Sequence, residues 1–128
     1  MREITLMNGN VVLIPRNVFQ KVGNLDKKYH HDLGDIDYGL RANELGIKVY
    51  STKTVIANCQ ANEINRVRLI NSTLINRFKK LYSPTGVNPK LLFYFHKKHY
   101  GLLKAILYFI IIHVKNIIPD LKLFKCTK

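Results

Sequence analysis

The run HHDLGDIDYGLRANELG, residues 30–46, places Asp32, Asp35 and Asp37 within six positions, behind a histidine pair and directly before a helix-like pattern. Carboxylates in such a setting have two uses. They can accept from the free N–H groups of a helix start, where the positive end of the dipole suits an acid. They can also take a proton from a substrate hydroxyl, because titratable groups crowded at one helix start are a setting for general acid–base work. Asp35 stands where an N-cap belongs, immediately before the helical spacing Ile36, Leu40, Leu45, and Gly46 closes the helix. Asp37, two residues on, points away from Asp35 and reads by itself as solvated. Asp32, with His30 and His31, reads as part of the loop NLDKKYHHDLG.

Other elements must hold this helix. Asn8-Gly9 is a turn signal, and the apolar run Val11–Ile14 after it is short, β-branched and bounded by Gly and Pro, the pattern of a buried strand. Pro15 ends that strand, since it cannot donate to a sheet ladder. RNVFQKVG then predicts a short helix with Val18, Phe19 and Val22 on one face and Gly23 as its stop. Beyond Gly46, IKVY reads as a strand and TVIAN as a further strand-like run. A sheet edge left open at Val11–Ile14 would invite self-association.

The run from residue 8 to 50 resembles the acceptor-side half of family 2 glycosyltransferases with the GT-A fold. In that family a Gly-containing turn leads into an apolar strand, an Arg, "vf..vG..D", a loop and an acidic "ED.D..R....G" motif. Here the matching positions are Gly9, Val12-Leu13-Ile14, Arg16, Val18-Phe19, Val22-Gly23, Leu25-Asp26, Gly34-Asp35, Asp37, Arg41 and Gly46. The resemblance implies that Asp35 is the catalytic base of an inverting transfer, removing the proton from an acceptor hydroxyl as its oxygen attacks the donor's anomeric carbon. It implies acceptor-side or supporting positions at Gly9, Asn10, Gly34, Asp37 and Arg41. Gly34 departs from the pattern, since many members carry Glu there. The segment 72–108 is similar to the C-terminal extension of bacterial polysaccharide-building members, with YSPTGVNP and FYFHKKHYG in that order.

The resemblance also sets what to expect of cofactors. The complete enzyme is expected to hold a divalent metal, Mg or Mn, on the donor diphosphate through an Asp-x-Asp motif that ends a βαβ unit. Asp35-Ile36-Asp37 has the spelling but opens a helix after the acceptor strand, so it is not read as that motif. Many members also place a His near the metal after the second strand. Asn58 and Cys59 stand in its place here, and no metal ligand is assigned. No Gly-rich phosphate loop is present in the sequence. The expected activity is therefore transfer of a sugar from a nucleotide-sugar donor to a saccharide or lipid-linked acceptor in cell-surface polysaccharide synthesis, by a portion that lacks the nucleotide-binding half and is inactive alone. Non-catalytic binding to a membrane or another anionic surface, by a truncated remnant of such an enzyme, is the alternative.

Charge divides the 128 residues unevenly. Residues 1–65 carry eight Lys/Arg against seven Asp/Glu, whereas residues 66–128 carry thirteen against Asp120 alone, making up the overall +13. The second half therefore asks for an anionic partner. NSTLINRFKKLYSPTG reads as a basic helix closed by Ser-Pro and a Gly turn, and Asn88-Pro89 as the cap and first position of the next helix. Residues 105–112 are continuously apolar but bracketed by Lys104, His113 and Lys115, too short for a span of about 20 residues. An interfacial helix, with Lys97, Lys98, Lys104 and Lys115 facing headgroups, fits this pattern, as does a helix buried against the rest of the fold. Each such lysine is worth about 1 kcal/mol near an anionic leaflet. Tyr and Phe interleaved with Lys could stack on bases, but no nucleic-acid motif accompanies them, and nucleic acid is not the expected partner.

The fold expected is α/β: residues 1–61 as a partial GT-A-like domain of a few short strands with flanking helices, and residues 62–128 as a basic helical extension. The N-terminus MREITLMNGN has no apolar leader, and Cys59 and Cys126 lack metal-ligand spacing and read as reduced thiols. The expected location is cytoplasmic, peripheral to the inner face of the plasma membrane.

Overall fold

A computed structural model describes residues 1–7, 11–30, 32–58 and 71–118. The chain divides into two units, Met1–Asn62 and Glu63–Lys128. Among the described residues it is a mixed structure of five helices and one two-stranded antiparallel sheet.

In the first unit, strand β1 (Arg2–Ile4) pairs with β2 (Val49–Ser51), in the register Arg2 to Ser51, Glu3 to Tyr50 and Ile4 to Val49. Lys48 Nζ meets Glu3 Oε2 at 3.0 Å beside this pairing. Helix α1 (Arg16–Val22) starts at Pro15, whose fixed φ suits a helix boundary, and stops at Gly23. Gly23 has φ 82°, a region that glycine enters without a Cβ clash, and its N–H donates to Phe19 O at 2.8 Å. Helix α2 (Gly34–Glu44) is followed by Gly46, also at positive φ.

The core of this unit is Met7, Val22, Tyr38 and Ala42, with Val18, Ile47 and Val49 packed against it. Close approach builds it. A Cβ on Gly39 would lie 2.9 Å from Met7 Cβ and 3.3 Å from Met7 N, so only glycine lets residue 7 pass over α2 at that point.

Several sequence expectations change here. Val11–Ile14 forms no strand and is exposed throughout, Leu13 at 92%. A short apolar run becomes a strand only when another strand satisfies its N–H and C=O groups, and among the described residues that pairing falls to Arg2–Ile4 and Val49–Ser51. Among the described residues the sheet edges therefore belong to the β1–β2 pair and not to Val11–Ile14. Thr54–Asn58 likewise forms no strand. On α2 the buried face is Asp37, Tyr38, Gly39 and Ala42, while Ile36 and Leu40 are half-buried and Leu45 is exposed. Small side chains at 39 and 42 admit a close neighbour, which the larger apolar residues on the other side would hold away. On α1, Phe19 is likewise half out in solvent while Val22 is buried.

In the second unit, helix α3 (Leu74–Leu81) is capped by Thr73, whose side chain accepts from Asn76 N. The turn after it is tight: a Cβ on Gly86 would fall on Lys80 O, and Ser83 Oγ donates to the same carbonyl at 2.7 Å. Helix α4 (Pro89–Tyr100) has Asn88 as its cap, accepting from Lys90 N at 3.1 Å, with Pro89 in the first position. Gly101, at φ 89°, joins it directly to α5 (Leu102–Ile117). The ring pairs across the seam fix its direction. Phe93 meets Phe109 at 5.9 Å and His96 stacks on Tyr108 at 4.1 Å, so an earlier residue of α4 faces a later one of α5 and the helices form an antiparallel hairpin. Ala105, wholly buried, is the small residue that lets the helices close.

Candidate functional site

The loop before α2 is held by its own acids and amides. Asn24 Oδ1 accepts from Leu25 N, Asp26 Oδ1 from Lys28 N, Asp32 Oδ1 from Leu33 N at 2.8 Å and Asp35 Oδ1 from Ile36 N at 2.9 Å. Such side-chain bonds to nearby N–H groups offer the backbone an alternative to helix, and so shape turns and helix starts.

Asp35 is not the N-cap. That position is Leu33, which has φ 65° and is the one non-glycine at positive φ among the described residues. Leu33 O accepts the first helical bond, from Asp37 N at 2.8 Å. Asp35 becomes the second helical residue, half-buried, in the first turn of α2. The turn thus gains its acid from inside the helix, where the free N–H groups lie.

Asp37 departs from the solvated reading that spacing alone suggests. It is 0% exposed, and its Oδ2 accepts from Arg41 Nε at 2.9 Å. Arg41 also donates from Nη1 to Val22 O at 2.7 Å and from Nη2 to Asn24 O at 2.9 Å, and lies 5.1 Å over the Tyr38 ring. Val22 O belongs to the last turn of α1, whose carbonyls have no partner within the helix. Arg41 therefore ties the end of α1 to α2. The i, i+4 spacing of Asp37 and Arg41 was the signal in the sequence for the pair; its reach to residues 22 and 24 had none.

Gly34 is half-buried, and a Cβ there would meet Tyr29 Cβ at 3.3 Å, so a larger residue presses on Tyr29. His30 is exposed. Gly9, Asn10, His31 and Cys59, together with Cys126, lie outside the described residues. Because Asp37 is engaged by Arg41, Asp35-Ile36-Asp37 does not offer two carboxylates to one metal ion. No group of three His, Cys, Asp or Glu among the described residues could hold one.

In the second unit Lys97, Lys98 and Lys104 are exposed and Lys115 is half-buried. Lys98 Nζ lies 5.9 Å over the Tyr94 ring, and Lys104 Nζ 5.4 Å over that of Tyr100. Two histidines that charge counting overlooks organise the helices. His96 Nδ1 bonds Leu92 O at 2.8 Å and His113 Nδ1 bonds Phe109 O at 2.7 Å. A carbonyl only accepts, so both Nδ1 atoms carry a proton. In its neutral form His113 then receives the Tyr82 hydroxyl on Nε2, at 2.8 Å. No helix among the described residues is long and apolar enough to cross a membrane.

Comparison of the chain with protein-family models, with curated protein sequences and with solved structures gives no match in any of the three.

Proposed function

We propose that the first unit supplies the acceptor side of an inverting, family 2-like glycosyltransferase of GT-A type, with Asp35 as its base. The observation that carries this reading is the different placement of the neighbouring acids. Asp37 is sealed and paired with Arg41, while Asp32, half-buried and bonded to the next N–H as Asp35 is, lies in the loop outside the helix. Asp35 stands half-exposed in the first turn of α2, anchored through Oδ1 by a neighbouring N–H. In the reaction, Asp35 takes the acceptor hydroxyl proton while that oxygen forms a bond to the donor's anomeric carbon. The bond from that carbon to the nucleotide diphosphate breaks, its electron pair leaves with the phosphate, and the configuration inverts. Asp37 and Arg41 hold α2 against α1 and so position Asp35. Donor diphosphate and its divalent metal belong, in this reading, to residues other than those described.

The test is Asp35→Asn in a protein that joins this chain to a donor-binding half. Transfer should fall by about 10²–10⁴-fold, the usual contribution of a general base, with donor binding retained. Near-normal turnover of the variant sinks the assignment.

A second reading has its own observation, the concentration of positive charge beyond residue 65. In it the second unit binds an anionic membrane surface, with no sugar chemistry required. Co-sedimentation of the chain with anionic vesicles tests it.

A further inference from the structure

Helix α5 is polarised in a way its charge count hides. Its buried side is Ala105, at 0% exposure, with Phe109 meeting a ring of α4, while Tyr108 stacks on His96 from a position still 44% exposed. Leu103, Ile106, Leu107, Ile110 and Ile117 are exposed, Leu103 at 85%. Their spacing of three, four and seven residues puts them in one stripe along the helix. A 16-residue helix is about 24 Å long, so the stripe runs most of that length, interrupted between Ile110 and Ile117 by half-buried His113 and Val114, and an apolar surface of this kind marks an interaction site.

The surrounding charge decides what covers it. Residues 71–118 contain Arg77, Lys79, Lys80, Lys90, Lys97, Lys98, Lys104 and Lys115 and no acid. A second copy meeting this stripe through the same unit would bring like charge against like charge. An anionic lipid surface brings the opposite sign together with an apolar interior. Lys104 stands near the start of the stripe and Lys115 near its end, while Lys97 and Lys98 sit by the Gly101 turn of the hairpin. Long lysine stems can lie along apolar surface while their ammonium groups stay in water.

We propose that the outward stripe of α5 lies in the plane of an anionic lipid leaflet, with Leu103, Leu107, Ile110 and Ile117 below the headgroups and Lys97, Lys98 and Lys104 among them. This deepens the membrane-binding reading and rests on it; the role of Asp35 does not enter.

The chain contains no tryptophan, so one introduced indole reports its own surroundings without background. Leu103→Trp, Ile110→Trp and Ile117→Trp, made singly in the full chain, are mixed with vesicles of mixed phosphatidylglycerol and phosphatidylcholine, with brominated chains as quencher. Val55→Trp, on an exposed residue of the first unit, is the reference. All three α5 reporters should shift to the blue and be quenched, Val55→Trp should do neither, and phosphatidylcholine alone should produce no effect. Replacing Lys97, Lys98 and Lys104 by Gln should weaken binding about fivefold per lysine. High salt should weaken it further, as the screening length falls from about 10 Å at 0.1 M to about 3 Å at 1 M.

No sedimentation with anionic vesicles overturns the membrane reading itself. Sedimentation without a reporter shift leaves that reading standing and overturns the α5 face. A shift at Leu103→Trp alone means that only the turn inserts, and overturns the in-plane placement. Equal shifts in lipid-free dimers, or with single-stranded DNA, assign the stripe to a second copy or to nucleic acid and overturn it as well.

Discussion

Asp37 and Arg41, one turn apart on α2, form a 2.9 Å ion pair whose carboxylate is wholly sealed from solvent. The guanidinium spends its other two nitrogens on Val22 O and Asn24 O. A buried charge is tolerable when paired and hydrogen-bonded, and removing one partner strands the other. Asp37→Ala should therefore cost about 3–5 kcal/mol, read as a lowered urea midpoint with the m-value unchanged. Arg41→Lys keeps the charge but loses the planar fork that reaches three acceptors. It should destabilise as well, and a wild-type midpoint for Arg41→Lys would show that charge alone matters at this site.

Asp35 differs from Asp37 in stability as well as in proposed role. Half-buried, with its Oδ1 bond made to the adjacent N–H, it should tolerate Asn with a loss of no more than about 1 kcal/mol. Thermal melts of Asp35→Asn separate a folding defect from the loss of transfer that the proposed base role requires.

Gly39→Ala sets two effects against each other. Alanine gains about 1 kcal/mol of helix propensity, but its Cβ would stand 2.9 Å from Met7 Cβ and 3.3 Å from Met7 N. Overpacking of this kind costs about 1–3 kcal/mol, and backbone atoms yield less readily than side-chain ends. Net destabilisation is expected in equilibrium denaturation, and a gain would mean that residues 1–7 move freely off α2.

Tyr38 offers a stabilising change. Its hydroxyl is buried with no hydrogen-bond partner among the described residues, so Tyr38→Phe removes a desolvated polar group and keeps the ring under Arg41. The variant should match or exceed the wild type by up to about 1 kcal/mol. A loss of more than that would reveal a partner for the hydroxyl.

Lys48 gives a pH dependence of known sign. Its hydrogen bond to Glu3, and then the charge of Glu3, raise its pKa above the ordinary 10.5. The folded state thus holds this proton more tightly than the unfolded one. The contribution is complete below pH 10.5 and is lost as pH rises through the folded pKa. Both side chains are solvent-exposed, so the effect is small. Denaturation of Lys48→Met at pH 8 and pH 11 should show a smaller fall with pH than the wild type shows.

What was legible in the sequence follows from how local its cause is. The helix stops at Gly23 and Gly46 and the Asn88-Pro89 start depend on a few neighbouring residues and stand in the structure, whereas the start of α2 lies two residues earlier than Asp35 suggests, because Leu33 takes the cap in a left-handed conformation that residue type does not announce. Val11–Ile14 carries a strand pattern yet forms no strand, because the pattern says nothing about whether a partner is present. Arg2–Ile4 became a strand because Val49–Ser51 pairs with it, which no window of ten residues contains. At the site, the three acids look alike in one dimension. Asp32 and Asp35 each bond the next N–H, in the loop and in the first turn of α2, while Asp37 is sealed by Arg41, whose other donors are fixed by the path of residues 22–24. The exposed stripe of α5 was similarly invisible, since a run of continuous apolar residues does not say which side the neighbouring helix takes.

The Gly101 hairpin and the β1–β2 pair also predict an order of assembly. Phe93 and Phe109 are joined through a short connection, whereas Arg2 and Ser51 must find each other from about fifty residues apart. Closing the longer loop loses more chain entropy before any contact repays it, and topology of this kind sets folding speed. The hairpin should therefore gain protection from hydrogen exchange earlier than β1. Until Val49–Ser51 arrives, the exposed backbone of Arg2–Ile4 is open to pairing with a strand from another molecule.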